Sequence, residues 1–175
     1  MRAGYCRIMT TSAMVTVFDL VGGLPVHPLV VHVTVVVLPV AALALVVIMV
    51  LPRVPRWVRW SVIAALAVGT LSTFVAAESG NALSDRVGEA SMHEALGEQL
   101  PPIAAITLAL GVVWAIVSEL TARAAAAGSP RSRTLLWLRV IVSVLAAGAA
   151  AVAVWFTVRA GHSGAVASWQ ERVGG

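Results

Sequence analysis

The chain has 175 residues, of which 59% are hydrophobic and 11% charged, and its mean hydropathy is +0.93. A soluble domain of this size carries about 25% charged residues, because charge has to cover its surface, so the composition excludes an ordinary soluble fold. The formal net charge of +4 comes from arginines in short clusters between apolar runs, with no basic face, which excludes nucleic acid as a partner.

Four apolar segments are long enough to cross a bilayer, which takes roughly 20 residues of helix. In lipid every backbone amide and carbonyl must be paired within the protein, so we predict that all four are helices. The expected fold class is therefore all-α, a four-transmembrane-helix bundle with the lipid bilayer as its surroundings. The predicted spans cover residues 28–51, 57–77, 102–120 and 135–160.

The segments outside these spans complete the predicted domain organisation. We expect an outer N-terminal segment at residues 1–23, a membrane domain at 24–162 and an outer C-terminal tail at 163–175, with Met14 as an alternative start. Ahead of the third span, Met92, Leu96 and Leu100 recur at helical spacing. This apolar stripe predicts a short outer interfacial helix before the third span.

The connections between the spans differ in charge. Residues 78–102 hold five acids against Arg86, whereas the other two connections and the helix ends beside them hold seven arginines against Glu119. By the positive-inside rule, the arginine-rich connections face the cytoplasm, so both termini and residues 78–102 lie on the outer side of the plasma membrane. The seven arginines are Arg53, Arg56, Arg59, Arg123, Arg131, Arg133 and Arg139.

Four histidines are the most chemically suggestive side chains, and the predicted topology places all of them at the outer end: His27, His32, His93 and His162. Histidine is a common metal ligand and an axial ligand of haem iron, and an ionisable side chain at membrane depth is a functional hypothesis by default. We therefore predict these four as candidate ligands of haem b or of a metal, with His32 and His93 as the axial pair and His162 as the substitute. Because His27 and His32 lie about 140° apart on a continuous helix, one site needs ligands from different helices.

Several short motifs resemble those of a known family. The sequence LPVHPLVVH at residues 24–32, followed by Pro39, resembles the opening of the family called domain of unknown function 2231, whose members are small bacterial membrane proteins with four predicted spans. The sequences SGNAL at 79–83, HEALG at 93–97 and GHSG at 161–164 resemble further stretches of that family. The resemblance covers about residues 17–170. It implies a four-helix fold similar in outline to cytochrome b proteins, redox partners for some members and no settled activity.

Two functions remain open at the level of sequence. One is a haem electron-transfer protein with a redox partner, and the other is a non-catalytic membrane scaffold or subunit whose histidines make structural hydrogen bonds, alone or as a homo-oligomer. We do not predict an enzyme, because the sequence carries no phosphate-binding loop, no CxxC and no pattern for a Ser–His–Asp triad.

Overall fold

Residues 20–21, 24–87 and 91–173 are described by the computed structural model. In this part of the chain a two-residue strand, β1 (Leu20–Val21), pairs antiparallel with β2 (Leu24–Pro25), and four long helices follow. The helices are α1 (Val26–Val50), α2 (Arg56–Val87), α3 (Ser91–Ala126) and α4 (Arg131–Val173). The structure confirms the predicted all-α fold class.

Each of the four helices contains one candidate membrane span, which confirms the four predicted spans. The spans Val26–Val50, Arg56–Ala82, His93–Ala126 and Arg131–Val166 have mean hydropathies between 1.8 and 3.0. Large apolar side chains such as Val36, Leu71 and Val144 are more than half exposed. Such faces suit contact with lipid tails, which are as apolar as the side chains themselves.

The predicted separate interfacial helix is wrong. Residues 91–100 form the first part of α3, which continues through Pro101 and Pro102 without a break. Leu100 of the apolar stripe turns toward the bundle, because it is only 6% exposed and belongs to the hydrophobic core. His93 also ties the segment to α4 through a hydrogen bond to Ala160. These contacts, which the sequence pattern does not reveal, hold the segment on the bundle rather than on the lipid surface.

The helices pack in chain order around a square, so that α1 and α3 lie diagonally across from each other, as do α2 and α4. Small residues allow close approach of the backbones: a Cβ added at Gly69 of α2 would lie 2.9 Å from the Cα of Leu38 in α1. Residues 51–55 and 127–130 connect helices at one end, called here the arginine end. The opposite end contains the starts of α1 and α3, and we call it the histidine end.

Candidate functional site

His27 is the second residue of α1 and reaches across to α2 at the histidine end. Its half-buried ring places Nδ1 2.9 Å from the carbonyl oxygen of Ala76 and 3.4 Å from Oγ of Ser79. A carbonyl oxygen can only accept, so Nδ1–H donates, and in the neutral ring the lone pair is left on Nε2. Gly80 lies against this ring, because an added Cβ would be 3.1 Å from Cε1 of His27.

His93 makes the same set of contacts from α3 to α4. Nδ1 lies 3.0 Å from the carbonyl oxygen of Ala160 and 3.3 Å from Oγ of Ser163. A Cβ added at Gly164 would lie 2.9 Å from Cε1 of His93, so this glycine also lets a backbone pack against the imidazole. In the neutral ring Nδ1 is again the donor and Nε2 is again free of the proton.

A matched motif therefore holds the two histidines. Residues 76–80 of α2 and 160–164 of α4 both read Ala-x-x-Ser-Gly, and each motif meets the histidine in the first turn of the preceding helix. The α1–α2 and α3–α4 hairpins run in the same direction through the bundle, as do parallel repeats in other membrane proteins. Sequence reasoning noted parts of both stretches separately and missed the repeat, although the shared spacing of alanine, serine and glycine was the signal that could have revealed it.

The two hairpins bring His27 and His93 together. Their ring centroids are 6.0 Å apart and their planes meet at 79°. Because α1 and α3 are diagonal neighbours, the pair bridges the bundle at its histidine end. Among the residues that the structure describes, no group of three or more His, Cys, Asp or Glu side chains is arranged to hold a metal ion. The arrangement can therefore supply two imidazole nitrogens to a shared ligand.

His32 and His162 are exposed, unlike the half-buried pair. His32 is exposed on α1, and its Nδ1 hydrogen-bonds to the carbonyl oxygen of Pro28 one turn earlier in its own helix. His162 is exposed on α4. The pair that the structure brings together is thus His27 with His93, whereas the sequence favoured His32 with His93. Ligand roles for all four histidines remain predictions.

A second polar cluster joins α2 and α3 near the arginine end. Glu119 Oε1 accepts a hydrogen bond from Nε1 of Trp60 at 2.8 Å and lies 3.1 Å from Nε of Arg56. The other carboxylate oxygen lies 3.7 Å from a guanidinium nitrogen of Arg123, one turn along α3. These contacts give Glu119, the one acid beside the arginine-rich connections, a structural role, because they link α2 to α3.

Comparison with known proteins agrees with these observations. Residues 23–175 match the model of a family described as "Predicted membrane protein (DUF2231)". The chain belongs to this family. In this DUF2231 protein the matched range contains all four helices and both histidine motifs, and the apolar helices fit a protein embedded in a lipid bilayer. No curated protein and no solved structure matches the chain.

Proposed function

We propose that this DUF2231 protein binds haem b at its histidine end, with His27 and His93 as the axial ligands of the iron, and serves electron transfer with a redox partner. The observation that carries the proposal is the spacing of two imidazoles whose Nδ1 atoms are both held by backbone carbonyls. Such hydrogen bonds fix the tautomer and orientation of a ligating histidine. Each ring thus keeps Nε2 for the iron.

The distance between the rings fits one metal atom between them. With metal–nitrogen bonds of about 2.0–2.1 Å and a ring centroid about 1.1 Å behind the nitrogen, two imidazoles on opposite sides of a metal have centroids about 6.3 Å apart. The rings of His27 and His93 are 6.0 Å apart. The angle of 79° between the planes is compatible with this arrangement, because ligation requires each ring plane to contain its own metal–nitrogen bond and sets no angle between the two planes.

The ligand count favours haem over a bare metal ion. Structural zinc sites take four protein ligands, whereas haem iron receives four nitrogens from the porphyrin and needs only two from the protein. The described residues supply those two and no group of three. Small residues of the matched motifs surround the pair, and a flat macrocycle needs neighbours without bulky side chains. They are Ala76, Ser79 and Gly80 on α2 and Ala160, Ser163 and Gly164 on α4.

A spectrum of the purified protein tests this proposal. We expect detergent-purified protein supplied with haem to give the sharp reduced bands of six-coordinate, low-spin haem b. His27→Gly and His93→Gly should each lose this spectrum, and added imidazole should restore it in part, which separates a lost ligand from a lost fold. The matched controls His32→Gly and His162→Gly should keep it.

The proposal fails in two ways that this experiment detects. A wild-type protein that takes up no haem, although it remains helical and monodisperse, would leave the histidines as structural hydrogen-bond donors in a non-catalytic scaffold. Loss of the spectrum in His32→Gly with retention in His27→Gly would move the site to the pair favoured by sequence.

We further propose that the histidine end faces outward from the plasma membrane, because the arginine-rich connections favour the cytoplasm. Single cysteines introduced as Ser84→Cys and Ser132→Cys, in a Cys6→Ser background, test this orientation on intact cells. A membrane-impermeant thiol reagent should label the cysteine at position 84 and spare the one at 132. The reverse pattern would invert the topology and place the haem site at the cytoplasmic face.

A further inference from the structure

An open groove lies between the end of α3 and the start of α4 at the arginine end. Its volume is about 650 Å³. Two arginines and two hydroxyl side chains line it together with leucines, namely Arg123, Arg131, Ser129, Thr134, Leu120 and Leu135. We propose that this groove binds the phosphate headgroup of an anionic phospholipid.

The charges at the groove favour an anion. Arg123 shares the Glu119 carboxylate with two other side chains. Arg123 lies nearest Oε2, whereas Arg56 and Trp60 contact Oε1. The side chain of Arg131 has no acidic partner among the residues that the structure describes. Guanidinium groups bind phosphate through paired N–H donors, and serine and threonine hydroxyls add further donors. The groove therefore offers several donors and uncompensated positive charge.

The position of the groove identifies lipid as the source of the phosphate. Trp57 and Trp137 are 72% and 64% exposed near the same end of the bundle, and exposed indoles favour the headgroup layer. Trp137 lies about 9 Å further along α4 than Arg131, on the side of the bilayer centre. Arginine and hydroxyl groups then lie at phosphate level, and the leucines suit the glycerol and the first methylenes. Basic pockets between helices bind anionic headgroups in this way.

Lipid retention in native mass spectrometry tests the inference, with detergent-purified protein and either phosphatidylglycerol or phosphatidylcholine. We expect phosphatidylglycerol to be retained preferentially, and the double variant Arg123→Gln/Arg131→Gln to weaken its binding about thirtyfold. The matched control Arg53→Gln/Arg133→Gln removes the same charge from the same end, outside the groove, and should bind nearly as the wild type does. Arg123→Lys/Arg131→Lys keeps the charge but loses the paired donors, so intermediate binding is expected.

Three results would overturn the inference. Equal weakening in both glutamine variants would show that only diffuse charge attracts the lipid. Equal retention of the two lipids would remove the role of headgroup charge. Displacement of phosphatidylglycerol by millimolar glycerol 3-phosphate would identify a soluble anion as the ligand. If the groove variant fails to fold, the lysine variant and the control still decide the test. None of these results depends on whether haem binds at the opposite end.

Discussion

Alanine at position 164 should displace the His93 ring. The added Cβ would lie 2.9 Å from Cε1 and 3.1 Å from Nδ1 of His93, whereas ordinary van der Waals contact begins at 3.4 Å. The ring must therefore retreat by about 0.5 Å, the difference between 3.4 and 2.9 Å. A retreat of this size stretches the 3.0 Å hydrogen bond to Ala160 toward 3.5 Å, where such a bond is largely lost.

Gly97→Ala provides the matched control for this change. Gly97 lies in α3, four residues after His93, and a Cβ added there meets nothing within 4 Å among the described residues. Both substitutions exchange glycine for alanine within a helix, so the gain in helix propensity cancels in the comparison. The remaining difference is the lost hydrogen bond, which contributes about 0.5–1.5 kcal/mol. Gly164→Ala should be less stable than Gly97→Ala by this amount.

Two measurements check this expectation. Unfolding in mixed detergent micelles, followed by circular dichroism, gives the difference in free energy of unfolding between the two variants. The nitrogen NMR spectrum of isotope-labelled histidine reports whether Nδ1–H of His93 stays hydrogen-bonded. Equal stability of the two variants, with an unchanged Nδ1 signal in Gly164→Ala, would refute the close packing of the glycine against the ring.

Two further predictions concern the packing and the arginine end of the bundle. Gly69→Ala should destabilise the protein by about 1–3 kcal/mol, because its Cβ would meet the backbone of Leu38 at 2.9 Å. The control Gly148→Ala adds a Cβ that meets nothing within 4 Å among the described residues, so it should be neutral or slightly stabilising in the same unfolding titration. Glu119→Gln should lose only salt-sensitive stability, because the amide oxygen still accepts the hydrogen bond from Trp60. Glu119→Ala removes this acceptor as well and should also change the fluorescence of Trp60. A loss of stability in Glu119→Gln that is the same at all salt concentrations would contradict this assignment.

The spans were predictable because the bilayer itself imposes them. Apolar runs of sufficient length must be helical in lipid, and this argument needs no knowledge of neighbours. The segment ahead of the third span was not predictable in this way. Its stripe of apolar residues fits lipid and a neighbouring helix equally well, since both are apolar. Only the packing of Leu100 in the core decides between them.

The choice between His27 and His32 also depended on how the helices pack, which the sequence does not show. His32 lies deeper in an apolar run than His27, which made it the stronger candidate by sequence. Depth along a helix, however, says nothing about rotation around its axis. Since the two histidines lie about 140° apart, the rotation that turns His27 toward Ala76 leaves His32 on the exposed face.

The repeated motif explains why His27 and His93 come together. Hairpins that run in the same direction place equivalent residues at the same level, and packing around a square sets the first helices of the two hairpins on a diagonal. Each hairpin then contributes one imidazole whose Nδ1 is bound to its own second helix. One hairpin alone supplies one ligand, so any centre between the rings requires both halves of the chain. A ligand between the rings would therefore meet one imidazole from each hairpin.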